Sequence, residues 1–95
     1  MKLVWGRRAR RDLNELIVYI AEDSVQAAEL VATRILKSAE ILLKAPLAGR
    51  VGRVDGTREL IVLRTPFLLV CRVESSNVRI LRVYHGARRW PSRFD

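Results

Sequence analysis

Ninety-five residues make one small domain with room for a single modest core, and a hydrophobic fraction of 49% in clear periodic patterns excludes a disordered chain. The 18 basic side chains outnumber the 10 acidic ones, a formal +8, and 15 of the 18 are arginine. Arginine's planar fork suits phosphate and carboxylate, so the skew points to nucleic acid or an acidic protein segment as partner, although a GC-rich genome also inflates arginine. The excess is uneven, +2 over residues 1–44 and +6 over residues 45–95. A single cysteine, Cys71, excludes an internal disulfide, and its apolar surroundings mark it as a buried small hydrophobe. No signal-peptide core opens the sequence and no apolar run approaches the ~20 residues that span a bilayer, so the expected setting is cytoplasmic with no membrane partner.

Lys2-Leu3-Val4-Trp5 is a short β-prone start closed by Gly6. From Arg7 to Glu22, apolar residues at Ala9, Leu13, Leu16, Ile17 and Ile20 fall on one face of an α-helix. Its first turns carry Arg7, Arg8, Arg10 and Arg11, which read either as a solvated helix start or as a nucleic-acid patch. Four cations there oppose the helix dipole. Asp23 with Gln26 three residues on resembles a capping box for a second helix over residues 24–44, whose apolar face is Ala28, Val31, Ile35, Ala39 and Leu42. The short join predicts an antiparallel helical hairpin, and Pro46 ends it. Residues 48–56 hold three of the five glycines and match no phosphate-binding loop. They read as a flexible crossing from helix to sheet in which Arg50 or Arg53 is a ligand contact only as a secondary reading.

Three strands follow, at residues 57–64, 67–73 and 78–85, separated by turn signals at Thr65-Pro66 and Glu74-Ser75-Ser76-Asn77. Short connections make them an antiparallel meander under the helices, an α+β domain of order β-α-α-β-β-β. Alternation sorts each strand into two faces. Phe67, Leu69, Cys71 and Val73 form an apolar face for the helices, with Leu81, Val83 and His85 assigned there too. The opposite face collects Arg58, Leu60, Val62, Arg64, Leu68, Val70, Arg72, Ile80, Arg82 and Tyr84. Two helices cover only one face, so this second face is expected to be an exposed apolar groove studded with arginines, or to be covered by the folded-back C-terminal tail. His85 and Arg82 differ in parity, and a regular strand cannot aim both into one pocket. Only a bulge or a strand ending near Gly86 would join them.

A lone histidine makes no metal site, no Ser-His-Asp or Cys-His arrangement can be assembled, and no cofactor is implied. Acid–base RNA cleavage needs a base, a proton donor and cations on the phosphate. His85, Tyr84, Glu59 and several arginines are the right residue types.

The stretch Ile80-Leu81-Arg82-Val83-Tyr84-His85-Gly86-Ala87-Arg88-Arg89-Trp90 resembles the RelE/ParE superfamily of toxins from type II toxin–antitoxin modules. So do Gly56-Thr57-Arg58-Glu59-Leu60 and Pro66-Phe67-Leu68-Leu69-Val70-Cys71-Arg72-Val73. The Asp12-Leu13, Tyr19-Ile20-Ala21 and Ala27-Ala28 positions fit as well. The likeness covers nearly the whole chain and is closest to the ParE-like branch. It implies a small bacterial cytosolic toxin neutralised by a cognate antitoxin, with DNA gyrase as the ParE-like target. The RelE-like alternative is a ribosome-dependent mRNA endonuclease, for which Glu59, Arg72, Arg82 and His85 are the candidate catalytic residues. Target or antitoxin contacts are expected from the arginine-studded face and from Arg88, Arg89 and Trp90. A non-toxic basic nucleic-acid-binding domain is the third alternative. The absence of lysine from the three meander strands and the parity of His85 and Arg82 weigh against RNA cleavage.

Overall fold

The computed structural model describes residues 1–87, Arg89 and Pro91. Its elements in chain order are β1 (Lys2–Trp5), α1 (Arg7–Asp23), α2 (Val25–Lys44), β2 (Arg50–Val51), β3 (Arg58–Ile61), β4 (Phe67–Val73) and β5 (Asn77–His85). The strands form one sheet in the order β1-β5-β4-β3-β2, with the helical hairpin packed on one face. This is the expected α+β architecture with two additions. β1 joins the meander in parallel, alongside β5, and the glycine-rich crossing contributes the two-residue strand β2.

A single residue both ends α1 and starts α2. The Ser24 backbone is extended, its N–H donates to Ile20 O at 3.0 Å, and its hydroxyl accepts from Ala27 N–H at 3.1 Å. The cap is therefore Ser24, not Asp23, because the chain leaves the first helix one residue later than its pattern indicates. Ala28 is buried in α2, and Ala9, Ile35, Ala39 and Leu42 enter the main core beneath the helices. Gly6 lets the chain pass from β1 into α1 hard against β5. Its N–H donates to Ile80 O at 2.9 Å, and a β-carbon there would stand 2.9 Å from the same oxygen.

The expected first meander strand is cut short. Arg64 takes a left-handed backbone (φ 62°), uncommon for a residue other than glycine, and its carbonyl accepts from Arg34 Nη1 at 3.1 Å. Val62 N–H donates to Phe67 O and closes the turn between β3 and β4.

The main core lies between the helices and the inner face of the sheet, built on Val62, Leu69, Cys71, Val78, Ile80 and Val83 with Ile35, Ala39 and Leu42 above them. A second, smaller cluster of Leu68, Val70 and Tyr84, with Leu81 against it, lies on the outer face. The division turns on a β-bulge. Val70 pairs with Arg82 while Cys71 pairs with Ile80, so Leu81 is an extra residue on β5. An extra residue exchanges the faces of everything beyond it. Ile80 therefore points into the core with Val83, and Leu81 points outward, the reverse of strict alternation. Leu60 and Val62 are likewise corrected to the inner face, because Leu60 pairs with Leu69 and Val62 joins the main core.

These placements predict that Ile80→Ala destabilises the fold by about 2–5 kcal/mol, the range for truncating a buried large aliphatic side chain. Leu81→Ala should cost clearly less. Urea unfolding of the two variants measures the difference, and strict alternation predicts the opposite order.

Candidate functional site

The end of β5 is where charge, aromatic rings and an open edge meet. β1 pairs with β5 only as far as Ile80, so beyond it α1 supplies the neighbour. Asp12 takes the place of a strand there. Its carboxylate accepts the Val83 N–H at 3.0 Å and holds Arg82 through Nε at 2.7 Å and Nη2 at 3.0 Å. The pair is nearly buried, its side chains 16% and 10% exposed, and the Arg82 carbon centre lies 4.6 Å from the centroid of the Tyr84 ring. The Asp12 hydrogen bond, resisted by burial and supplemented by the charges of Asp12, Tyr84 and Glu15, raises the Arg82 pKa further above its usual value. Arg82 is thus a fixed cation whose strong bonds are already made.

His85 goes the other way. It pairs with Phe67, on the inner side of the sheet, and its ring meets the Phe67 ring edge-on at 5.8 Å and 82°. Its Nδ1 accepts the Ala87 N–H at 3.1 Å, which leaves Nε2 to carry the ring proton. The bulge lies at Leu81, before both residues, so it does not bring them together. His85 opens instead into a cleft of about 400 Å³ between α1 and the ends of β4 and β5, lined by Asp12, Glu15, Leu16, Tyr19, Ile20, Phe67 and Val83.

Glu59 also behaves unlike a general base. It pairs with Val70 on the outer face, and its side chain is 1% exposed. Arg50 donates to Oε1 from Nε and Nη2, and Arg53 donates from its backbone N–H, Nε and Nη2 across the two oxygens. Burial works to raise its pKa, but the bonds from Arg53 and Arg50 together outweigh it and hold the carboxyl below its ordinary value. This buried anion orders the segment that had read as a flexible crossing. Gly49 is what lets the backbone close on it, since a β-carbon there would stand 2.8 Å from Glu59 O.

The remaining candidates separate. Arg72 stays on the outer face opposite Arg79, and Glu74 pairs with Arg79 at 3.3 Å. Arg58 is corrected away from that face, because it pairs with Cys71 and its guanidinium donates to Gly49 O at 2.9 Å. Arg64 sits at the β3–β4 turn beside Arg34, Lys37, Ile41 and Leu63. Leu60, Val62 and Ile80 line the core rather than a groove. Leu68, Val70 and Tyr84 do share the outer face but are 5%, 0% and 1% exposed, so the expected exposed apolar groove is absent at these positions. Arg89 is exposed, and Arg88 and Trp90 lie outside the described residues. Among the described residues, no cluster of three His, Cys, Asp or Glu side chains is placed to hold a metal, and no helix is long and apolar enough to cross a membrane.

Asp12, Glu15 and Tyr19 belong to this site although the sequence pattern does not single them out. Asp12 stands 70 residues from Arg82, and no local spacing signals such a pair. Glu15 and Tyr19 fall on helical positions next to the apolar stripe, a signal that could have placed them beside the sheet but not beside His85.

The Glu59 cluster sets an acid response. A carboxyl depressed in the folded state adds stability that is fully present above its unfolded value near 4.5 and is lost as pH falls through its lower folded value. Glu59→Gln is expected to cost about 1–3 kcal/mol at neutral pH. The gap between variant and wild type should close progressively below that unfolded value, as read from urea midpoints across the acid range. A second check concerns Cys71, which is fully buried and whose thiol is pushed up to about 11 by burial, with the charge of Arg58 acting weakly the other way. Thiol reagents at neutral pH should label it only after unfolding.

Residues 3–90 match the family model described as the ParE toxin of type II toxin-antitoxin system, parDE. The chain is 38% identical over 90 residues to Y4kP of Sinorhizobium fredii, covering 95% of this chain and 93% of that protein. It is 34% identical over 87 residues to Toxin RelE2 of Caulobacter vibrioides, covering 92% and 97%. A solved chain described as the chromosomal ParDE TA system from P. aeruginosa superposes with a TM-score of 0.82 at 30% identity, covering 90% of this chain and 95% of that one. The chain belongs to the ParE toxin family of type II toxin–antitoxin systems, within the RelE/ParE superfamily.

Proposed function

We propose that the protein arrests growth in the bacterial cytoplasm by binding DNA gyrase, without chemistry of its own, and that a cognate antitoxin neutralises it. Family membership and the likeness to a ParDE system support both the ParE branch and the antitoxin partner. One observation carries the non-catalytic reading: the groups an RNase would need to bring together are dispersed. His85 faces a cleft with carboxylates on the inner side, Glu59 is locked between two arginines on the outer side, and Arg82 is bound to Asp12. Phosphate would meet anions beside the only imidazole, where transition-state stabilisation calls for cations.

The likeness to a protein named RelE2 favours a second reading, ribosome-dependent cleavage of mRNA. Purified protein assayed on gyrase supercoiling, together with mapping of mRNA 5′ ends after induction, separates the two. Inhibited supercoiling with no new ends within codons is the expected result. Untouched supercoiling, with new ends that disappear in His85→Ala, would replace this reading with the endonuclease. Induction without growth arrest would leave only a nucleic-acid-binding role.

A further inference from the structure

The cleft beside His85 has a composition that gyrase inhibition does not call for. Its floor is Leu16, Ile20, Phe67 and Val83, and its rim carries Asp12, Glu15, Tyr19 and His85. In a chain of formal charge +8, no arginine or lysine lines it among the described residues. Asp12, Glu15, Leu16, Tyr19 and Ile20 recur at helical spacing, so α1 presents them as one face. Asp12 is engaged with Arg82 and the Val83 N–H, whereas Glu15 makes no hydrogen bond or ion pair among the described residues. Two carboxylates thus face one guanidinium, and the balance beside the cleft is negative. Tyr19, one helical turn beyond Glu15, is 74% exposed and offers its ring to solvent.

An apolar floor, a carboxylate with bonding capacity to spare and an open aromatic ring suit a cation carried on an aliphatic stem. We propose that this cleft receives an arginine side chain from a protein partner. The stem lies on Leu16 and Ile20, and the guanidinium sits between the Glu15 carboxylate and the Tyr19 ring. Arginine fits better than lysine because a planar fork both chelates a carboxylate and stacks on a ring. An anionic ligand is opposed by Glu15, and a second copy of this chain is opposed by the repulsion between two molecules of +8. The site does not depend on the gyrase reading, and it is tested without gyrase.

The test titrates the isotope-labelled full-length protein with the N-acetyl, N-methylamide form of arginine, and separately with that of citrulline, its neutral isostere, following the NMR signals of Glu15, Tyr19 and His85. Saturable shifts at these residues are expected with arginine, and binding about ten-fold weaker with citrulline, since the isostere loses both the ion pair and the cation–π contact. Glu15→Gln and Tyr19→Leu should each weaken arginine binding about three-fold while leaving the citrulline response in place. Equal response to the two probes, or shifts that never saturate and ignore Glu15→Gln, would overturn the proposal. So would cleft signals that move with protein concentration alone, since the occupant would then be another copy of the chain.

Discussion

Two residues of β5, Ile80 and Leu81, stand against a single step of β4 between Cys71 and Val70, and much of the molecule's surface follows from that mismatch. Before the bulge, Val78 and Ile80 face the helices. After it, Val83 and His85 do. Without the extra residue, one half of β5 would send its apolar set to the wrong side. With it, a strand whose sequence lacks a single consistent alternation fills one core along its whole length. The displaced residue is not wasted, since Leu81 packs with Leu68, Val70 and Tyr84 into the small outer cluster. A bulge also twists and bends its strand. Here it lies just where β1 stops and α1 becomes the neighbour of β5.

Two carboxylates hold the consequences in place, and both act by consuming arginines. Asp12 ties α1 to β5 through Arg82 and the Val83 N–H, and Glu59 ties the β2 segment to β3 through Arg50 and Arg53. The two differ in kind. The Asp12–Arg82 pair is shielded on both sides, so removing one partner would leave the other charge short of both water and a counter-ion, a larger loss than the pair itself contributes. Around Glu59 only the carboxylate is shielded, because the arginine side chains remain 55% and 44% exposed. Those guanidiniums keep a positive outer edge while losing freedom of direction. Arginines fixed in this way suit a rigid recognition surface better than a site that must follow a phosphate through a reaction.

Much of this architecture was legible in the residues. The helical faces, the three meander strands and the two-layer arrangement follow from periodicities of 3.6 and 2, which report burial directly. The parity of Arg82 and His85 was legible too, and the sheet keeps them apart. The faces of Leu60, Val62 and Ile80 were not. Alternation fixes relative sides within a strand, but which side faces the helices depends on pairing across strands, and the bulge reverses the answer midway along β5. The order of residues 48–56 was also hidden, because glycine-rich sequence looks flexible until the buried anion it wraps is known. Asp12 could not be found by spacing, since its partners come from the far end of the chain.

The distribution of charge, more than its total, separates the two sides of the sheet. On the outer side and its edge, Arg50, Arg53, Arg72 and Arg79 stand against Glu59 and Glu74, an excess of cations over a floor of buried apolar residues. On the inner side, the cleft under α1 shows carboxylates and rings. A partner complementary to one surface is repelled by the other, because juxtaposed like charges penalise a wrong docking more than surface ion pairs reward a right one. Arg82 sits at the boundary, paired by strand register with Val70 on the outer face and by its guanidinium with Asp12 at the rim of the cleft. A partner that drew Asp12 away would release both the Arg82 cation over Tyr84 and the Val83 N–H. The two surfaces are therefore joined through one ion pair.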